Sequence, residues 1–236
     1  MTNELYSQMK KNTVDSKDQL NESKVVRFHH SEGNGVRIMF MGNSITLHGS
    51  APSIGWLPEC GMSASAPEKD YVHILERNVL DKFPDAAFCI CQVSEWERSY
   101  KQGAEKHALY ESARSFDADV IVIRFIENCP GGDFDGEVFY NSLCDLIDFV
   151  NADGEAKIIV TTGFWRHPGD AQLIKYAGNN SLPLVELGDL GEKDEMKAIG
   201  LFQHSGVANH PGDAGMRHIA ERIAKELIPI CINAPI

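Results

Sequence analysis

From residue 36 onward the chain alternates between two kinds of segment. Short apolar runs rich in Val, Ile and Phe occupy residues 36–41, 87–93, 120–125, 157–161 and 182–187. They are nearly continuous rather than alternating, the pattern of parallel strands covered on both faces. Between them lie stretches with helical spacing. Residues 70–83 place Val72, Leu75, Val79 and Phe83 on one stripe; residues 104–116, 137–150 and 171–177 follow; residues 213–228 carry Ile219, Ile223, Ala224 and Leu227 on one face. Strands alternating with helices predict a parallel α/β sheet with right-handed crossovers. Five parallel strands fit a three-layer, flavodoxin-like α/β fold in the order 2-1-3-4-5 as well as any other. Residues 1–24 are polar and aperiodic and read as a surface arm. Residues 25–30 and 36–41 flank Ser-Glu-Gly-Asn-Gly and predict a hairpin. The division expected is therefore an arm and hairpin over 1–35 and one domain over 36–236.

An open sheet of this kind binds ligands beyond the carboxyl ends of its strands, where the strand order reverses. Gly42-Asn43-Ser44-Ile45-Thr46 follows the first strand of that sheet, Ser94-Glu95-Trp96-Glu97-Arg98 the second, and Glu127-Asn128-Cys129-Pro130 the third. Val207-Ala208-Asn209-His210-Pro211 precedes the last helix. A serine, an asparagine and a histidine at one crevice supply a nucleophile, a base and an amide donor for an oxyanion, the parts needed for acyl transfer. Ser44 is expected at a sharp turn near a helix N-terminus, with Gly42 permitting the turn. His210 has an unperturbed pKa of about 6.5, suited to a general base. Taken singly, Ser44 is also a favoured helix cap and Asn128 a turn former before Pro130; their convergence favours chemistry. Trp56 and Trp165 read as partly core, with a sugar-stacking platform as the alternative. Glu95 and Glu97 read as solvated surface.

Composition narrows the partners. The net charge of −12 argues against nucleic acid or an anionic membrane surface. There is no run of 18 apolar residues and no apolar segment near the N-terminus, so neither a membrane span nor a secretory signal is expected. Six scattered cysteines then read as reduced, buried thiols of a cytoplasmic protein. Without a C-x-x-C or H-E-x-x-H motif no metal is expected. No cofactor is expected either; neither a G-x-x-x-x-G-K-[ST] nor a G-x-G-x-x-G follows a strand.

Three blocks resemble the SGNH (GDSL-type) hydrolase family of esterases and lipases. Gly42-Asn43-Ser44-Ile45-Thr46 is similar to the block carrying the nucleophile, Glu127-Asn128 to the block whose Asn is an oxyanion donor, and Val207 to Pro211 to the closing D-x-x-H-P block. The resemblance covers residues 36–227. It implies a serine esterase acting on a small-molecule O-acyl ester, with acetyl groups on a carbohydrate as one candidate substrate. Ser44 and His210 are the implied catalytic residues, with Asn128, Ser94 and Glu127 at the oxyanion or substrate. Asn43 stands where the family has Asp, and Ile126 where the third block has Gly. Ser94 is the expected replacement for a missing oxyanion-hole Gly. Val207 occupies the place of the triad Asp. A backbone carbonyl such as that of Val207 is then expected to orient His210. The alternatives are Glu127 or Glu95 reaching it, or a catalytically impaired carbohydrate- or partner-binding homologue.

Overall fold

The computed structural model describes residues 25–30 and 35–233. Six strands form one sheet: β1 (Val26–His29), β2 (Arg37–Gly42), β3 (Ala87–Gln92), β4 (Val120–Arg124), β5 (Lys157–Thr161) and β6 (Leu184–Val185). Their spatial order is β1-β3-β2-β4-β5-β6. The five strands β2 to β6 run parallel in the expected order, and β1 joins antiparallel at the β3 edge. The expected hairpin is therefore not formed. Residues 25–30 and 36–41 are separated by β3, with Phe28 opposite Cys89. The arm over 1–24 and the turn residues 31–34 lie outside the described residues.

Alternation along the central strands feeds two cores. Met39, Met41, Cys89, Cys91, Ile121 and Ile123 face α2 (Ser94–Ser99), α3 (Glu111–Phe116), α4 (Gly136–Val150) and α5 (Asp170–Asn179). Ile38, Phe40, Phe88, Ile90, Val120 and Val122 face α1 (Tyr71–Leu80) and α7 (Asp213–Asn233). Burial on both sides explains why the strands read as unbroken apolar runs. Each fully buried Val, Leu, Ile or Phe contributes roughly 1.5–3 kcal/mol. The single helix expected over 104–116 is instead a 3-10 run, Tyr100–Tyr110, interrupted at Gly103 (φ 59°), followed by α3. Strand β6 is shorter than the apolar run 182–187: Pro183 cannot donate to the ladder at one end, and at the other the Leu187 N–H donates to Thr162 Oγ1. All six cysteines are free thiols. No described helix is long and apolar enough to cross a membrane.

Candidate active site

Strand β2 ends at Gly42, and the close neighbours of this residue explain its identity. A Cβ there would lie 1.7 Å from Thr46 Oγ1 and 2.9 Å from the Arg124 carbonyl oxygen. Space, rather than a left-handed backbone, demands glycine. The chain then turns once: the Thr46 and Leu47 N–H groups both donate to the Asn43 carbonyl at 2.9 Å. The expected helix start is only this turn. It leaves Ser44 partly exposed, and no described residue accepts the Ser44 N–H.

His210 arrives from the far end of the chain. The five-residue helix α6 (Ser205–Asn209) is capped by the His204 side chain, and Pro211 holds His210 in extended backbone (φ −64°, ψ 160°). From there the imidazole folds back on the helix. Nδ1 meets the Gly206 carbonyl oxygen at 2.7 Å, and Nε2 meets Ser44 Oγ at 2.8 Å. The carbonyl fixes the tautomer with a proton on Nδ1, leaving Nε2 free to accept from Ser44. The orienting group is thus Gly206 and not Val207. The Val207 carbonyl accepts instead from the His210 N–H (3.0 Å) and Ser63 Oγ (2.6 Å). The Val207 side chain packs with Trp56, Cys60 and Met62. This small cluster, together with the Met62 N–H donating to the Ser44 carbonyl at 2.8 Å, seats α6 against the Ser44 turn. Trp56 is buried, which removes it as a stacking platform. Trp165 is partly exposed, and its ring meets the His210 ring edge-on at 5.3 Å.

Burial lowers the His210 pKa below the ordinary histidine value, against the opposing pull of the Gly206 carbonyl and the Glu127 charge. The imidazole is therefore neutral near pH 7, the form a general base requires.

Beneath the Ser44 turn lies a buried polar network that sequence reading misses. Asn43 Nδ2 donates to Glu97 Oε1 (3.1 Å) and Glu127 Oε2 (2.5 Å). Arg124 Nη2 donates to Glu127 Oε2 (2.5 Å) and Asn43 Oδ1 (3.2 Å). Glu127 Oε1 accepts the Phe164 N–H at 2.7 Å. Glu97, expected at the surface, is fully buried and accepts from the Ile126 N–H (2.7 Å), the Asn128 N–H (3.3 Å) and Asn128 Nδ2 (2.8 Å). The Asn at position 43 now has a reason. An Asp would set a third carboxylate beside two others, whereas the amide donates to both. Burial works to raise the Glu127 pKa, but Arg124 overrides it and holds this group ionised. Burial, and next the Glu127 charge, push Glu97 up to about 7. Arg124 and Glu127 cancel, so Glu97 is the group that sets how the cluster's charge changes near neutral pH.

Two expected contributors are placed differently from the sequence reading. The Ser94 N–H donates to Gln92 Oε1 at 3.0 Å, so it is occupied. Its hydroxyl oxygen accepts from Gln92 Nε2 (2.8 Å) and, at 3.4 Å, from Asn128 Nδ2. Glu127 reaches neither Nδ1 of His210 nor open solvent; both its oxygens are engaged below Ser44. Glu95 pairs with Lys106. Asn128 is tied to the Ser44 turn through Glu97 and Asn43. One signal for the network was available: Arg124 closes an otherwise apolar strand, Val-Ile-Val-Ile-Arg. Nothing local marks Glu97.

Comparison with solved structures gives the fold class. A two-domain esterase active on acetylated mannans, crystallised with mannopentaose, matches with a TM-score of 0.56 at 16% identity, over 86% of this chain and 52% of that one. This chain spans about half the length of that esterase. A lipase/acylhydrolase from Enterococcus faecalis matches with a TM-score of 0.52 at 17% identity, over 81% of this chain and 95% of that one. The psychrotrophic esterase EstA from Pseudoalteromonas sp., in a structure inhibited by monoethylphosphonate, matches with a TM-score of 0.52 at 12% identity, over 82% and 97% of the two chains. No sequence-family model matches the chain, and no curated protein matches it by sequence. The chain has the SGNH (GDSL-type) hydrolase fold.

Proposed function

We propose that this protein is a serine esterase working through a Ser44–His210 dyad on small O-acyl esters, with acetylated carbohydrate as the substrate class. The observation that carries the reading is the 2.8 Å contact between Ser44 Oγ and a neutral His210 whose other nitrogen is fixed by the Gly206 carbonyl. As Ser44 Oγ attacks the ester carbonyl, Nε2 takes its proton. The imidazolium then protonates the departing alcohol, and water repeats the sequence on the acyl-enzyme. A carbonyl at Nδ1 sets orientation but adds no negative charge, so imidazolium is less stabilised here than beside a carboxylate.

The oxyanion is received by the free Ser44 N–H and by Asn128 Nδ2. Glu97 holds one proton of that amide, and the 3.4 Å contact to Ser94 is long enough to yield the other. The Ser94 hydroxyl, which accepts two hydrogen bonds, keeps its own proton to donate. Support for a carbohydrate comes from the partly exposed Trp165 beside His210 and from the mannan-active esterase of like fold. Aromatic faces suit sugar rings better than they suit an extended lipid tail.

The test is release of acetate from acetylated manno-oligosaccharides and hydrolysis of p-nitrophenyl acetate, each compared with Ser44→Ala, together with labelling by a fluorophosphonate. Sugar binding without turnover or label would select a binding protein instead.

A further inference from the structure

Away from the Ser44 crevice, strand β1 and helix α1 bring together two imidazoles and a carboxylate. We propose that His29, His73 and Glu76 bind one divalent transition-metal ion of the zinc type. One ligating atom from each lies within 4.8 Å of the other two. A tetrahedral ion with bonds of about 2.0–2.1 Å needs its ligands roughly 3.4 Å apart, so small side-chain rotations close the site.

The pieces come from different elements. His29 lies on the β1 edge, in register with Phe88, while its neighbours Val26 and Phe28 enter the core. His73 and Glu76 are three residues apart on α1, on one helix face. His29 Nδ1 already meets Glu76 Oε1 at 2.8 Å, and the His29 and His73 rings are 5.3 Å apart. Glu76 is buried, whereas the imidazoles are 28% and 27% exposed at the side chain, leaving a path for an ion and a water.

Asp70 supplies the outer support. Fully buried, it accepts from His73 Nδ1 at 2.9 Å and from the Gly61 N–H at 2.9 Å. That bond turns the His73 Nε2 lone pair outward, the carboxylate–histidine arrangement that orients metal ligands. Two imidazoles and a carboxylate form a borderline N/O set suited to zinc. His29 and Glu76 are 47 residues apart, so no sequence motif announces the site.

The experiment uses the full chain stripped with EDTA. Zinc chloride is titrated by calorimetry, and cobalt(II) absorption reports coordination. One ion per chain is expected, with His29→Ala and His73→Ala each weakening binding more than tenfold. Asp70→Asn should weaken it about ten- to a hundredfold. His218→Ala, which removes an exposed histidine paired with Glu221, should change nothing. Glu76→Gln could misfold because the residue is buried, so the half-exposed His29 variant decides, with circular dichroism as its folding control. Absence of zinc heat, or undiminished binding in folded His29→Ala, overturns the proposal.

Discussion

Ser44 and His210 lie 166 positions apart in the chain, yet their side chains meet at 2.8 Å. Each is delivered by a short, separately stapled segment: a single turn after β2, and one turn of helix before Pro211. Ser44→Ala and His210→Ala should each reduce kcat on p-nitrophenyl acetate by about 10⁴-fold or more, the range for losing a member of such a unit. The double variant should lose no more than either single one. Additive losses in steady-state kinetics would mean the two do not act together.

Restoring an acid at position 207 should fail. The Val207 side chain is buried against Trp56 and Met62, and the orienting atom is the Gly206 carbonyl. Val207→Asp therefore buries a charge without placing it at Nδ1. The expected result is lower stability in chemical denaturation, by several kcal/mol, and no gain in kcat. A faster enzyme would show that the residue reaches the imidazole after all.

Asn128→Ala should remove one oxyanion donor. Such losses typically cost about 10²–10³ in kcat, with KM little changed. Because Glu97 positions that amide, Glu97→Gln should reproduce part of the loss, its own NH2 facing donors where the carboxylate accepted them. Equal kcat in all three proteins would remove Asn128 from the chemistry.

Two ionisations should shape the pH dependence. Burial depresses the His210 pKa, so the acidic limb of kcat/KM should fall below the usual histidine value of about 6.5. Glu97 contributes to stability with the opposite sign from an ordinary paired carboxylate. Its folded value, raised to about 7, exceeds its ordinary value of 4.5. Between these two values the folded chain binds more protons than the unfolded one, so this group's contribution declines as pH rises through the window. Urea midpoints of the native protein minus those of Glu97→Gln, taken at pH 5 and pH 7.5, should show that decline. A difference that is flat or grows with pH would mean Glu97 is already ionised at pH 5.

Much of this fold was legible in the chain. Continuous apolar runs bounded by helical stripes were enough for the five parallel strands, because burial on both faces leaves a strong local imprint; their order rests on pairing that the runs do not encode. The edge strand is not legible in this way: residues 25–30 satisfy a hairpin pattern equally well, and only competition among strands gives β3 as their partner. Helix α2 leaves no such imprint, since Ser94-Glu95-Trp96-Glu97 shows no long period. Ser44, Asn128 and His210 stand out in the sequence by their places at element ends. The occupation of the Ser94 N–H by Gln92, the burial of Glu97 and the choice of Gly206 over Val207 do not. Each depends on which atom lies within a few ångströms of another across long sequence separations.

The sequence by itself determined the layers, the parallel strands and the residue types offered at the crevice, because periodicity and turn chemistry act over a handful of neighbours. Tertiary structure alone decided the partner of β1, the carbonyl that orients His210, the neutralisation of Glu127 by Arg124 and the meeting of His29 with His73 and Glu76. Those outcomes rest on hydrogen bonds and desolvation, which depend on distances fixed only after the layers have packed.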